Sequence, residues 1–213
     1  MDQQKENEIL VLIRDPLTRS KAFSLLVSET SQSLYWQIRK MVLSHDDAND
    51  ILQNTYMKAW SNIEQFRGDS KISTWMFRIA INETYTFLNK ERIKNQSNFT
   101  DMEDIMVQNL RGDPYFSGDE AALKLQQAIL TLPDKQRLVF NMKYFDDMKY
   151  EDMSEILGTS VGALKASYHY AVKKIEAFMR ADFWVILNLI SLSLSKMMFF
   201  PKNTEVHLWA TIL

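Results

Sequence analysis

The chain has 213 residues, with 25 Lys and Arg against 27 Asp and Glu, a net charge of −2, and 46% hydrophobic residues. That is ordinary for a soluble chain with one or two cores. The absence of cysteine excludes disulfides, thiolate metal sites and cysteine nucleophiles, and it fits a reducing, cytoplasmic setting.

The start, MDQQKENEIL, shows no basic region followed by an apolar run, so no signal peptide is expected. Five glycines and four prolines favour long helices over sheets. Residues 15–42 are read as helical, because Ala22, Phe23, Leu26 and Val27, then Leu34, Tyr35, Ile38, Met41 and Val42, recur at helical spacing. The break at Ser44–Asp46 offers caps for the next helix. That helix, about 47–63, turns Ala48, Ile51, Leu52, Thr55, Ala59 and Trp60 inward, while Asn49, Asp50, Gln53 and Asn54 crowd its other side. Simple capping also accounts for Asp46, Asp47 and Asp50, since acids suit a helix start.

Residues 66–71, with Phe66, Gly68 and Lys71, read as a turn. Ser73 or Thr74 is then expected to cap a third helix running to about residue 90. Its Trp75, Ile79, Thr84 and Phe87 alternate with Phe77, Arg78, Asn82 and Tyr85, and it ends on Lys90, Arg92 and Lys94. Aromatic rings interleaved with basic residues suit single-stranded bases. Trp75, Phe77 and Phe87 are equally suited to filling a core. Residues 95–120 carry Asp101, Glu103, Asp104, Asp113, Asp119 and Glu120 together with Gly112, Pro114 and Gly118, and read as an acidic flexible linker, with a short helix around 102–110.

Helical periodicity resumes over 121–130 and breaks at Leu132-Pro133. A helix over 134–144 then starts with Pro133 near its first turn. Residues 150–178 form two short helices around a tight turn. Met153, Ile156 and Leu157 line the first, Gly158 stops it, and Ser160 caps the second. The second buries Leu164, Tyr168, Ala171, Ile175 and Phe178 and presents Lys165, Ser167, His169, Tyr170, Lys173 and Lys174. That geometry seats a recognition helix in a major groove, although any helical hairpin shares its spacing. The two basic clusters, 90–94 and 165–180, lie on either side of the acidic segment, so an overall negative charge does not prevent phosphate binding. The three histidines are scattered, and there is no glycine-rich phosphate loop, repeat or metal cluster. Nothing calls for catalysis.

The motifs, taken together, resemble the extracytoplasmic-function (ECF) group of bacterial RNA polymerase sigma factors in the sigma-70 family, from about residue 23 to about 178. Residues 47–56 (DANDILQNTY) look like the helix that grips the polymerase clamp. Phe66-Arg67-Gly68, then Ser73-Thr74-Trp75-Met76-Phe77-Arg78-Ile79-Ala80 and Asn82, look like the part that opens and reads the minus-ten element. Leu132-Pro133, Arg137, Tyr150, Ile156-Leu157-Gly158 and Gly162-Ala163-Leu164-Lys165 look like the domain that reads the minus-thirty-five element.

The resemblance implies an all-α fold of two small helical domains, residues 10–94 and 121–180, joined by the linker 95–120; an apolar tail, 181–213, read from composition alone, follows. It implies a factor that binds core RNA polymerase through Asp47, Asn49, Asp50, Gln53 and Asn54. Minus-ten DNA would meet Phe66, Lys71, Ser73, Trp75, Arg78, Asn82, Lys90 and Arg92. Minus-thirty-five DNA would meet Ser160, Gly162, Ala163, Lys165, Ala166, Ser167, His169, Tyr170, Lys173 and Lys174. Core polymerase, promoter DNA and an anti-sigma protein are the implied partners, with no cofactor, no metal and no enzymatic step. The family usually has Glu at the positions of Asn49 and Asn54, Phe at Tyr56, Ala at Ser154 and Arg at Ser167. Losing that Arg removes a bidentate guanine contact. A free-standing helix-turn-helix regulator is the rival reading, and it leaves the 47–56 and 66–82 motifs unexplained.

The resemblance ends after residue 178. Residues 183–195 are uncharged and strongly apolar until Lys196, short of the roughly 20 apolar residues of a membrane span, so membrane contact is not favoured. The Leu-Ser alternation at 190–195 suits a strand. The helix itself is expected to end near residue 180, with the tail packing back on apolar surface or promoting association.

Overall fold

The computed structural model describes the backbone of residues 1, 3–94 and 120–198, and side chains at 1, 4–94 and 121–181. The expected linker, 95–120, lies outside these residues except for its last position, as does everything after 198. All described elements are helical: α1 (Gln3–Arg14), α2 (Arg19–Val42), α3 (His45–Asn62), a 3-10 turn (Ile63–Gln65), α4 (Ile72–Lys94), α5 (Glu120–Leu130), α6 (Asp134–Tyr144), α7 (Tyr150–Leu157) and α8 (Val161–Met198). Among the described residues, those up to 175 form one compact unit and 176–198 belong to a second.

Helix α1 precedes the expected start of helical structure. Its Ile9 and Ile13 are spaced one turn apart and buried, as is Glu6. The Glu6 carboxylate accepts the Ser73 backbone N–H (3.4 Å), which places an acid at the positive end of α4. The chain turns at Asp15-Pro16, where Asp15 Oδ1 accepts from the Leu17 N–H (2.9 Å). Helix α2 ends in a left-handed residue, Leu43 (φ 58°), whose N–H bonds to the Arg39 carbonyl. Leu43 is nonetheless buried, at 2% exposure.

Ser44 caps α3 as expected, its Oγ accepting from the Asp47 N–H (3.3 Å). Ala48, Ile51, Thr55 and Ala59 form the buried line of α3. Trp60 departs from expectation. It is 45% exposed because it lies at the helix end, with its ring edge on Phe23 (5.0 Å) and its other side open. Tyr56 packs edge-on to Phe23 (6.3 Å). The Thr30 hydroxyl donates to the Leu26 carbonyl (2.7 Å), which leaves Tyr56 to donate to Thr30 Oγ1 (2.9 Å). Burial raises the Tyr56 pKa above its ordinary value. This hydroxyl is what a Tyr at this position adds over Phe. Tyr56→Phe is therefore expected to cost about 1 kcal/mol of stability, read from the denaturant midpoint.

Helix α4 begins at Ile72, ahead of the predicted caps, so Ser73 lies inside its first turn. Its deepest line is Ile72, Met76, Ala80, Thr84 and Leu88, at four-residue spacing. Trp75, Phe77, Ile79 and Phe87 are half-buried shoulders of this line. Small residues at 80 and 84 let α2 and α3 approach closely, and that pushes the large rings to the flanks.

Past the 130–133 turn, Pro133 stands at the N-cap of α6, next to its first turn, and its carbonyl accepts from the Arg137 N–H (2.9 Å). Helix α7 stops at Gly158 (φ 61°), whose N–H bonds to the Ser154 carbonyl. Helix α8 does not end near residue 180. It runs to Met198, so 190–195 is helical rather than a strand. No Gly or Pro interrupts residues 163–200, and extending a formed helix is far easier than nucleating a new element. The expected packing of the tail side chains lies outside the described residues.

Candidate nucleic-acid interface

The polar start of α3 forms one surface. Asn49, Asp50, Gln53 and Asn54 are all exposed, and Asp47 is half-buried beside the Ser44 cap. Asn49 Nδ2 lies 3.0 Å from His45 Nε2, and His45 Nδ1 lies 2.7 Å from the Tyr35 hydroxyl. This chain of contacts fixes one edge of the surface.

The expected minus-ten residues divide into two stripes along α4. Trp75 and Asn82 line an open cleft of about 400 Å³ shared with Lys58, Asn62, Gln65, Ile79 and Glu83. Phe66 is half-buried with its ring tilted on Trp75 (5.2 Å between centroids). A ring platform beside amides is suited to holding an unstacked base. Lys58 and Glu83 pair across the cleft (2.5 Å). Sequence reasoning missed Lys58, Asn62, Gln65 and Glu83. The only signal for the first two was their four-residue spacing on α3, one turn beyond the α3 polar surface. Lys71 and Lys90 are exposed, and the Ser73 N–H is engaged by Glu6.

The second stripe, Arg78, Tyr85 and Arg92, repeats every seven residues and faces α6 and α7. Arg78 Nε donates to the Glu155 backbone carbonyl (3.0 Å), and so does its Nη2. Arg92 Nη2 donates to Asp134 Oδ2 (2.5 Å). Burial, with Asp134 as the next cause, pushes the Tyr85 hydroxyl up to about 12.

In the helix-turn-helix, Ser160 Oγ accepts from the Ala163 N–H (3.3 Å). Leu164, Ala171 and Ile175 are buried. Gly162, Ala163, Lys165, Ala166, His169, Tyr170, Lys173 and Lys174 are exposed, and Ser167 is half-buried. Tyr168 stacks on Phe140 (5.8 Å, 16°), fixing the helix rotation. Lys165 Nζ lies 5.7 Å from the Tyr150 ring centre, and Lys174 donates to Gln136 Oε1 (3.1 Å). Lys143 and Asp147 pair at the surface (2.8 Å); that bond raises the lysine pKa and lowers the aspartate pKa.

Residues 26–93 match the Sigma-70 region 2 family model, and residues 122–175 match Sigma-70, region 4. The ECF RNA polymerase sigma factor SigW of Bacillus subtilis (strain 168) is 30% identical over 167 residues, covering 75% of this chain and 89% of SigW. The ECF RNA polymerase sigma-E factor of Haemophilus influenzae is 27% identical, over 73% of this chain and 86% of its own length. Among solved structures, the sigma factor RpoE in complex with the anti-sigma factor NepR, from Bartonella quintana, matches with TM-score 0.57 and 24% identity, over 76% of this chain and 99% of that one. CnrH, in complex with the cytosolic domain of CnrY, matches with TM-score 0.58 and 20% identity, over 85% and 98%. These two likenesses concern the fold. With region 2 and region 4 in order and a 30% identical relative covered almost end to end, the chain belongs to the sigma-70 family of RNA polymerase sigma factors, in its ECF group.

Proposed function

We propose that this sigma factor divides its work among the three surfaces described. The outward face of α3 (Asp47, Asn49, Asp50, Gln53, Asn54) binds core polymerase. The cleft at Phe66, Trp75 and Asn82, flanked by Lys71, Ser73 and Lys90, holds the opened minus-ten strand, joined by Arg78 and Arg92. The start of α8 reads the minus-thirty-five duplex. The reading is carried by the exposure pattern. Most of the polar residues of each surface are exposed while an apolar line behind it is buried, as expected of faces made for partners rather than for the core. The mechanism is binding and strand capture in the cytoplasm, with no covalent chemistry by this chain. An anti-sigma protein is a further proposed partner, supported by the anti-sigma factor bound to the RpoE relative.

Run-off transcription with purified core polymerase, with and without this chain, tests the reading. Promoter-specific transcripts are expected only when the chain is added. Duplex binding without any polymerase association would instead favour a free-standing regulator.

Within α8, Lys173→Ala is expected to weaken DNA binding across sequences and reduce the salt slope by about one, as loss of a phosphate contact does. Lys165→Ala or Ser167→Ala is expected to alter sequence preference, because residues near the start of a recognition helix reach base edges. A shift in preference caused by Lys173→Ala alone would require a different helix orientation.

Among the described residues no helix is long and apolar enough to cross a membrane. Truncation after Arg180 is expected to raise solubility and leave run-off transcription at least as strong, since an apolar run such as 183–195 favours association when exposed. Loss of transcription with folding intact would make the tail part of the working factor.

A further inference from the structure

His45, the first residue of α3, stands between two helices. Its Nδ1 lies 2.7 Å from the Tyr35 hydroxyl on α2, and its Nε2 lies 3.0 Å from Asn49 Nδ2, one turn further along α3. The Tyr35 ring packs edge-on to the imidazole, with 5.8 Å between centroids. The Tyr35 hydroxyl also bonds to Arg39, which is 1% exposed; burial lowers the Arg39 pKa, and Tyr35 acts in the other direction. A polar string thus runs from Arg39 in the core through Tyr35 and His45 to Asn49, on the face proposed above for polymerase.

What each group can do fixes the donors along this string. A guanidinium only donates, and so does the amide nitrogen of an asparagine. Asn49 Nδ2 therefore makes His45 Nε2 an acceptor. The neutral ring then carries its proton on Nδ1, where it donates to the Tyr35 oxygen. With its nitrogen on the ring, the Asn49 amide turns its carbonyl oxygen away from the ring, on an exposed residue. That oxygen joins an acceptor-rich surface. Asp46, Asp47 and Asp50 share the first turns of α3, and no Lys or Arg occurs on that helix before Lys58. A partner that matches such a face presents cations or N–H donors.

We infer that His45 is a positioning residue of the polymerase interface: its neutral ring holds Asn49 as an acceptor, and protonation reverses that amide. The inference rests on the assignment of the α3 face to polymerase. An imidazolium has an N–H at both nitrogens. Its Nδ1–H keeps the bond to Tyr35, but its Nε2–H and the Asn49 amide nitrogen are both donors, so the amide turns over and presents its NH2 outward. The charged groups near the ring are Asp46 and Asp47, beside it in α3, and Arg39, behind Tyr35 in α2; Lys40, next along α2, is paired with Asp146. Imidazoles ordinarily gain their proton between about pH 8 and pH 5, so polymerase binding should weaken on acidification.

The test is the affinity of the full-length chain for core polymerase, at constant salt, from about pH 8 to about pH 6. Wild type is expected to lose about fivefold to tenfold, the worth of one hydrogen bond. His45→Gln places an amide oxygen where Nε2 stood and does not titrate. It should bind within about twofold of wild type at the upper pH and lose little toward the lower. Asn49→Ala should bind more weakly at the upper pH and show the same flat profile. A wild-type profile no steeper than that of His45→Gln would overturn the inference. So would the wild-type slope in Asn49→Ala, because the ring's own charge would then be responsible. Nitrogen NMR of the three histidines, with His45→Gln assigning the signal, gives a readout without polymerase. Near the upper pH, His45 should carry its proton on Nδ1, against the preference of a free imidazole for Nε2. A proton on Nε2 would sink the inference as well. If Asp50→Arg binds polymerase like wild type, the assignment of the α3 face fails instead, and the tautomer still decides whether His45 orients Asn49.

Discussion

Asp134→Ala is expected to destabilise the protein by about 3–5 kcal/mol, the loss typical when one partner of a buried ion pair is removed. Asp134 takes Arg137 through Oδ1 (3.0 Å) and Arg92 through Oδ2 (2.5 Å), with its side chain 13% exposed and that of Arg137 only 3%. Without the carboxylate, the buried Arg137 guanidinium loses its ion pair with Asp134. For a chain of this size the melting temperature should fall by roughly 10 °C. Asp134→Asn should fall between wild type and Ala, since it keeps an acceptor and loses the charge. A second readout is specific to this geometry. Asp134 helps to raise the Tyr85 pKa to about 12, after burial, so alkaline titration of the Ala variant should ionise that phenol at lower pH. A variant as stable as wild type would mean that the two arginines are held by other groups.

The largest expected effect on function is at α3. Asp50→Arg should weaken core-polymerase binding by tenfold to a hundredfold, and Gln53→Ala by less. A buried polar contact is worth about 1–3 kcal/mol when broken, each 1.4 kcal/mol is a factor of ten, and the Arg adds a repelling charge where an acid stood. Both side chains are exposed, so folding and isolated duplex binding by α7 and α8 should be unchanged. Affinity for core polymerase is the measurement. Wild-type affinity in both variants would remove this face from the polymerase interface.

Local signals in the sequence were good guides wherever one residue settles a backbone state. Ser44, Gly158 and Ser160 each ended or began a helix as read, because capping is decided by neighbouring atoms. Helix α1 escaped because Ile9 to Ile13 is an unbroken apolar run, whose periodicity cannot separate helix from strand. Its polar start gave no hint that Glu6 would be buried. In α4 the large rings suggested the inward line, whereas the inward line is the one with room for close helix approach, through Ala80 and Thr84. Gln37 and Arg39 are buried although their types read as surface. The split of the minus-ten residues into an open cleft and a stripe facing α6 and α7 was not legible. It depends on contacts between α4 and helices far along the chain, which spacing within α4 cannot report.

Leu43 bears on which substitutions this protein can accept over evolution. A left-handed backbone disfavours any residue with a Cβ by about 1–2 kcal/mol, and glycine would remove that strain. Glycine would also give up a fully buried leucine side chain, about 1.5–3 kcal/mol. Polar residues that tolerate the backbone, such as Asn, would place an amide where Leu43 keeps only 2% of its surface. Branching at Cβ worsens the strain. Each class of replacement is opposed by a different force, so the corner between α2 and α3 should be among the positions least open to sequence drift, even though Leu43 belongs to none of the surfaces that meet DNA or polymerase.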